Sequence, residues 1–258
     1  MTYAICASPA PKLPHFTENE VYKGMPFASG EFIKLDVSYL GIHAGFLEFK
    51  VLPATFKNQW LMGFNSLVRT GDWYNKIFKA LDEGTGYAAP SSFQPFEFRL
   101  TQDNNPLIGR RYIEDKLLKY NFEDCSVSEE YRDDKGQVTK SVHASLDPDA
   151  IDIISAIYKL RTVDFVKNTE ARIKVYTSEK NWWLTATREE FVRLTTPIGK
   201  FEAVRLKLET FIGKELQQKG NAKIWLAFNH PNRPLLKIEA QIKIGSFIAS
   251  LAEYKAGK

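Results

Sequence analysis

From Glu31 onward, apolar side chains fall on every second residue in one stretch after another. Ile33, Leu35, Val37 and Tyr39 alternate with Lys34, Asp36 and Ser38. After a break bracketed by Gly41 and Gly45 the beat resumes at Leu47, Phe49 and Val51. The same period returns at Phe96, Phe98 and Leu100, at Leu118, Tyr120 and Phe122, and at Ile173 and Val175. Later it runs through Val204, Leu206 and Leu208, then Ile224, Leu226 and Phe228, and it ends with Leu236–Ile244 and Phe247–Leu251. A period of two puts every apolar residue on one face of a strand and every polar one on the other. Turn chemistry separates the stretches, as at Asp103-Asn-Asn-Pro106 and Asp133-Asp-Lys-Gly136. Strands joined by short turns pair antiparallel, so the expected fold is mainly β, a single curled antiparallel sheet or a partly open β-barrel.

Two segments break the alternation. Asp147 is placed to cap a helix, Pro148 suits its first position, and Asp149 and Asp152 favour the positive end of its dipole. Ile153, Ile154, Ile157, Tyr158 and Leu160 then give an apolar face, predicting a central helix over about 148–161. A short helix is expected over about 72–82, with Asp72 as cap and Trp73, Ile77, Phe78 and Leu81 at helical spacing. Residues 84–95, rich in Gly, Ala, Ser and Pro, read as a loop. A length of 258 residues suits one large β domain. We place that domain at 24–256, after a flexible N-terminal segment, 1–23. The small residues and prolines of Met1–Lys12 resemble the end of a secretory signal, without the basic and apolar segments that should precede it.

Composition excludes several function classes. The net charge of +4 comes from 35 basic against 31 acidic residues spread along the strands, which is not the basic stripe of a nucleic-acid binder. No stretch approaches the length of a membrane-spanning helix. Cys6 and Cys125 form neither a zinc nor a redox motif, and no structural disulfide is expected. His15, His43, His143 and His230 lack paired ligand spacing, so neither a metal nor a cofactor is expected. Common nucleophile motifs are missing, and Gly84-Thr85-Gly86 is not a phosphate loop. Helix capping accounts for Asp147, Asp149 and Asp152 without a ligand, and a solvated hairpin accounts for Glu129, Glu130, Asp133 and Asp134. The aromatics remain as candidates for binding: Trp60, Trp73, Tyr74, Trp182 and Trp183. On a strand, Trp182 and Trp183 point to opposite faces, so one of them leaves the core.

Four blocks resemble the DUF3108 family of bacterial envelope proteins of unknown function. They are Ser29-Gly-Glu31 leading into Val37–Gly45, Asp152–Tyr158 with Leu160-Arg161, Thr196–Ala203, and Gly220–Leu226 with Pro234 and the pair around Ile244-Gly-Ser246. The likeness spans about 24–254. Where the family pattern has an acidic pair after the Trp-Leu step, this chain has Phe228-Asn229. The resemblance implies an exported protein, periplasmic or associated with the outer membrane, as in Gram-negative bacteria, and it carries over no catalytic residue. Within these blocks Gly41, Gly45, Asp152, Tyr158, Arg161, Gly199 and Trp225 read as structural: glycines at bends and turns, and a helix with its ends satisfied.

The function expected from these features is non-catalytic binding of an apolar, lipid-like or glycan ligand, or of an envelope protein partner. One alternative is an enzyme acting on envelope polymers through a pair of acids such as Glu31, Asp36 or Asp152. Another is a scaffold for assembly.

Overall fold

In the computed structural model, which describes residues 16–56, 58–212, 215–216, 222–241 and 245–258, the alternating stretches form one antiparallel sheet. The first half supplies β1 (Phe32–Tyr39), β2 (Ile42–Phe56), β3 (Gln59–Thr70), β4 (Phe78–Ala88), β5 (Pro95–Pro106), β6 (Tyr112–Asn121), β7 (Ser126–Arg132) and β8 (Val138–Ser145). The second half supplies β9 (Glu170–Thr177), β10 (Lys180–Thr196), β11 (Gly199–Ile212), β12 (Glu215–Leu216), β13 (Ala222–Ala227), β14 (Leu235–Gln241) and β15 (Ser246–Lys255). Helix α1 (Glu18–Val21) precedes the sheet, and α2 (Ile153–Thr162) separates the halves.

Across the sheet the order is β8-β7-β6-β5-β4-β3-β2-β1-β15-β14-β13-β11-β10-β9, with β12 on β11. The chain thus starts mid-sheet, meanders to the β8 edge, crosses by α2 to the β9 edge, and returns until β15 pairs with β1. Register follows the alternation: Leu35 sits opposite Leu47 on one side and Leu251 on the other. The β1–β2 turn places Leu40 and Gly41 at φ 49° and 80°, the left-handed pair of a tight hairpin.

One helix touches strands that are far apart in this order, which requires the sheet to curl around it. Ile151, just before α2, bridges to Val175 of β9. Ile154 and Asp152 lie over Gly84 and Gly86 of β4, where an added Cβ would come within 2.9 Å of Ile154 Cδ1 and 3.4 Å of Asp152 Oδ2. Those two glycines are the seat of the helix, which needs close backbone approach. At the far end of α2, Arg161 reaches Glu31 ahead of β1. The sheet edges also meet by side chains: Tyr176 donates to Glu129 at 2.7 Å, and Lys140 pairs with Glu179 at 3.0 Å. No backbone ladder joins β8 to β9, so the barrel stays open among the described residues.

The core lies between this concave face and α2. Phe64 stacks on Tyr158 with centroids 4.3 Å apart, and Phe27 meets Tyr158 edge-on at 5.0 Å. Val21 of α1 is also in the core, so packing begins ahead of the boundary set after residue 23.

Several expectations change. The helix over about 72–82 shrinks to one 3-10 turn, Tyr74–Lys76, and Phe78 begins β4. Trp73, Ile77, Phe78 and Leu81 are all exposed, so a helix there would have no apolar face to bury. Pairing with β3 and β5 satisfies that backbone instead. The loop expected over 84–95 is strand up to Ala88. The central helix starts at Ile153 with Asp152, not Asp147, as its N-cap. Asp147 instead begins a turn closed by the Ala150 N–H on its carbonyl at 3.0 Å, its side chain pairs with Lys174 at 3.4 Å, and Ile151 bridges to β9. Cys125 is disulfide-bonded, contrary to the expectation from spacing. Cys6 and His15 lie outside the described residues.

Asp152 is fully buried, and its Oδ1 accepts from the N–H groups of Ile154 and Ser155 at 3.0 and 2.9 Å while Oδ2 accepts the Ser155 hydroxyl. Burial raises its pKa, with these hydrogen bonds pulling it back down. A raised carboxyl favours the fold at acid pH, and that contribution is lost as pH climbs through the folded value. Asp152→Ala strands the cap donors and is expected to cost about 1–3 kcal/mol in urea unfolding at neutral pH. Asp152→Asn keeps an acceptor without the charge and should stay within about 1 kcal/mol of the wild type. Equal losses for the two variants would remove the capping account.

Candidate functional site

The inward rows of the strands continue beyond the level at which α2 crosses them, and there they are uncovered. Glu31, Val51, Phe64 and Gly86 lie in one line across the sheet, and α2 follows that line. It therefore covers only one helix diameter, about 10 Å, of strands such as the fifteen-residue β2, which runs to about 50 Å. On β1 the inward row passes from Ile33 and Leu35 in the core to Val37. On β2 it passes from Val51 and Phe49 to Leu47 and Gly45. On β3 it passes from Phe64 to Val68 and Thr70, and on β4 from Gly84 to Asp82, Ala80 and Phe78. The same rows thus change from core to open surface: Leu35 and Phe64 are fully buried, while Val68 is 37% and Phe247 38% exposed.

These uncovered rows line a cavity of about 470 Å³, within the size range of small-molecule sites. Val37, Leu47, Val68, Phe78, Ile238, Ala240, Phe247 and Ala249 make its walls, with Tyr74 contributed by the 3-10 turn. Thr70, Asp82 and Asn104 are the inward polar groups, and Asn104 Nδ2 donates to Asp82 Oδ1 at 3.0 Å. Around the mouth, Trp73, Ile77, Leu107, Ile108 and Tyr112 are exposed. A run of apolar surface this long on a folded domain marks a place where something binds.

The candidate aromatics do not gather in one place. Tyr74 lines the cavity, and Trp73 stands beside it with ring centroids 6.0 Å apart. Trp60 packs on the core at the opposite end of β3. Trp182 turns inward against the core, its Nε1 donating to the Thr177 carbonyl at 3.0 Å. Trp183 turns outward beneath Arg172 and Lys174, at 4.8 and 5.2 Å from its ring. Of the positions read as structural, Gly199 sits in an open turn at φ 140°, and Trp225 is buried with Lys237 over its ring at 4.4 Å. Sequence reading missed Val68, Phe78 and Asp82 as a group, because assigning a helix to 72–82 hid the alternation of Phe78, Ala80 and Asp82.

Two of the three acids considered for catalysis are otherwise engaged. Both Glu31 oxygens take Arg161 bidentately, at 2.6 and 2.7 Å, with both side chains buried. Arg161 also donates to the carbonyls of Asn232, Arg233 and Pro26 at 2.7, 3.0 and 3.3 Å, and lies about 5 Å from the rings of Phe27 and Tyr158. That site joins the N-terminal segment, the C-terminal end of α2 and the β13–β14 turn. Asp152 is the helix cap, and Asp36 is exposed on the convex face. Glu129, expected in a solvated hairpin, is fully buried and lies 3.7 Å from Lys116. Among the described residues, no cluster of His, Cys, Asp or Glu could hold a metal, and no helix is long and apolar enough to cross a membrane.

The family model described as a protein of unknown function, DUF3108, matches residues 34–252. A β-barrel-like protein of the domain of unknown function DUF1849 from Brucella abortus aligns with a TM-score of 0.58 at 8% identity, over 88% of this chain and 98% of its own. That likeness shows a shared fold. A protein described as exported, with a YmcC-like fold, from Bacteroides fragilis aligns at a TM-score of 0.34 and 11% identity, over 90% of this chain and 98% of its own. One described as a lipoprotein, from Parabacteroides distasonis, aligns at 0.33 and 12% over the same shares. These two weaker likenesses carry no argument here. No curated protein matches the chain.

Proposed function

The chain belongs to the DUF3108 family, and from this premise we propose that it binds the apolar chain of a lipid-like ligand in the cell envelope. The observation that carries this reading is the open cavity on the concave face, walled by aliphatic and aromatic side chains beyond the level that the helix covers. A glycan would call for more polar partners than the three inward ones, so the lining favours a hydrocarbon. Each methylene moved from water into such a site contributes about 0.8 kcal/mol before ordering costs. Ten of them supply about 8 kcal/mol gross, the size of a micromolar affinity before those costs, so micromolar binding calls for a longer chain. The disulfide at Cys125 supports an oxidising compartment, in line with export to the periplasm or outer membrane. Engagement of Glu31 and Asp152 in structural roles favours binding over polymer cleavage.

Native mass spectrometry of protein purified from a periplasm is expected to show a co-purifying lipid. Titration with the uncharged fluorophore N-phenylnaphthylamine should give saturable enhancement. Val68→Trp, which fills the cavity from a partly exposed position, should weaken that binding about tenfold or more. A clean apo mass with no saturable enhancement would sink the reading. Undiminished binding to Val68→Trp would move the site elsewhere.

A further inference from the structure

We propose that the cavity selects amphiphiles whose head is a protonated amine, with Asp82 as the counter-ion. This rests on the lipid-binding reading and names the ligand class for the same site. Two strongly charged residues border the cavity, Arg69 and Asp82. Arg69 alternates with Val68 and Thr70, so its side chain lies on the convex face. There it sits over the Phe46 ring at 5.1 Å and 3.8 Å from Glu48. Asp82 is directly opposite Val68 and Gln102 and therefore faces inward. Its partner is the neutral Asn104 amide, and no ion pair includes it among the described residues.

The neighbouring inward rows do not supply the missing cation. Lys116 is held between Glu114 and Glu129, at 3.6 and 3.7 Å. The Tyr112 hydroxyl donates to Glu114 and is pushed up to about 12, first by that hydrogen bond, then by burial and the negative charges of Glu114 and Asp82. The polar wall of an apolar cavity is thus net negative, with one carboxylate left without a counter-charge. An ammonium head placed there gains a charge-assisted hydrogen bond, an alcohol gains less, and a carboxylate is repelled.

Calorimetric titration with dodecylamine, dodecanol and dodecanoate, at pH 7 and below their micelle concentrations, separates the possibilities. The wild type is expected to bind dodecylammonium about tenfold more tightly than either other ligand, a preference that weakens with salt. Asp82→Asn, nearly the same shape, should reduce the preference to about threefold or less, and Asp82→Lys should reverse it toward dodecanoate. Equal binding of all three by the wild type, or an undiminished preference in Asp82→Asn, overturns this inference and leaves lipid binding standing. Failure of all three to bind overturns both.

Discussion

Arg161→Ala is expected to cost about 3–5 kcal/mol of folding free energy, because it leaves the Glu31 carboxylate buried without its cation. Against a total stability of about 5–15 kcal/mol, that is a large fraction. The loss exceeds the pair itself. Arg161 also satisfies carbonyls of Pro26, Asn232 and Arg233, so three chain segments come undone together. Arg161→Lys should recover little, since an ammonium cannot take both Glu31 oxygens and the carbonyls in one plane. A double variant, Arg161→Met with Glu31→Leu, should be more stable than Arg161→Ala, as both charges leave together. Urea unfolding followed by tryptophan fluorescence reads all three. A loss under about 1 kcal/mol for Arg161→Ala would show that the site is not the tie between segments described here.

Gly45→Ala is expected to cost about 2–4 kcal/mol, combining backbone strain with a clash that no rotamer can relieve. Gly45 lies at φ 159°, and a Cβ there would stand 2.1 Å from the Arg69 carbonyl oxygen and 2.7 Å from Thr70 Cα. Both are backbone atoms of the neighbouring strand, so β2 and β3 must separate. Gly41→Ala is the control. Its φ of 80° is strained for alanine, yet nothing lies within 4 Å of the new Cβ. It should cost about 1 kcal/mol. Gly45 also lines the cavity, so Gly45→Ala should weaken N-phenylnaphthylamine binding where Gly41→Ala does not. Equal thermal shifts for the two variants would contradict the close-approach account.

The two positions differ in how far the sequence disclosed them. Both glycines marked a break in the alternation, but only the β2–β3 register shows that Gly45 faces a carbonyl while Gly41 faces solvent. Asp152 and Arg161 likewise stood out in a family-like block, and Glu31 in another. The meeting of Arg161 with Glu31 across 130 residues is a product of the curl. Asp147 illustrates the opposite error. Its local capping signal was sound, but Pro148 and Asp149 make only a turn, and the pairing of Ile151 with Val175 of β9 passes the cap to Asp152. At 72–82, helical spacing of apolar residues competed with sheet pairing, and the sheet prevailed because no partner surface existed for a helix. Trp182 and Trp183 were read correctly as facing opposite ways, since that depends only on the period of a strand.

The alternation by itself determined a single antiparallel sheet with one apolar face, because side-chain direction on a strand is a local property. Which part of that face becomes core and which becomes a cavity was decided only by tertiary structure. The inward residues Leu35 and Val37 are alike in sequence. One is buried and the other opens on the cavity, because a helix laid across the strands, anchored on Gly84, Gly86 and Glu31, covers only one level of their length.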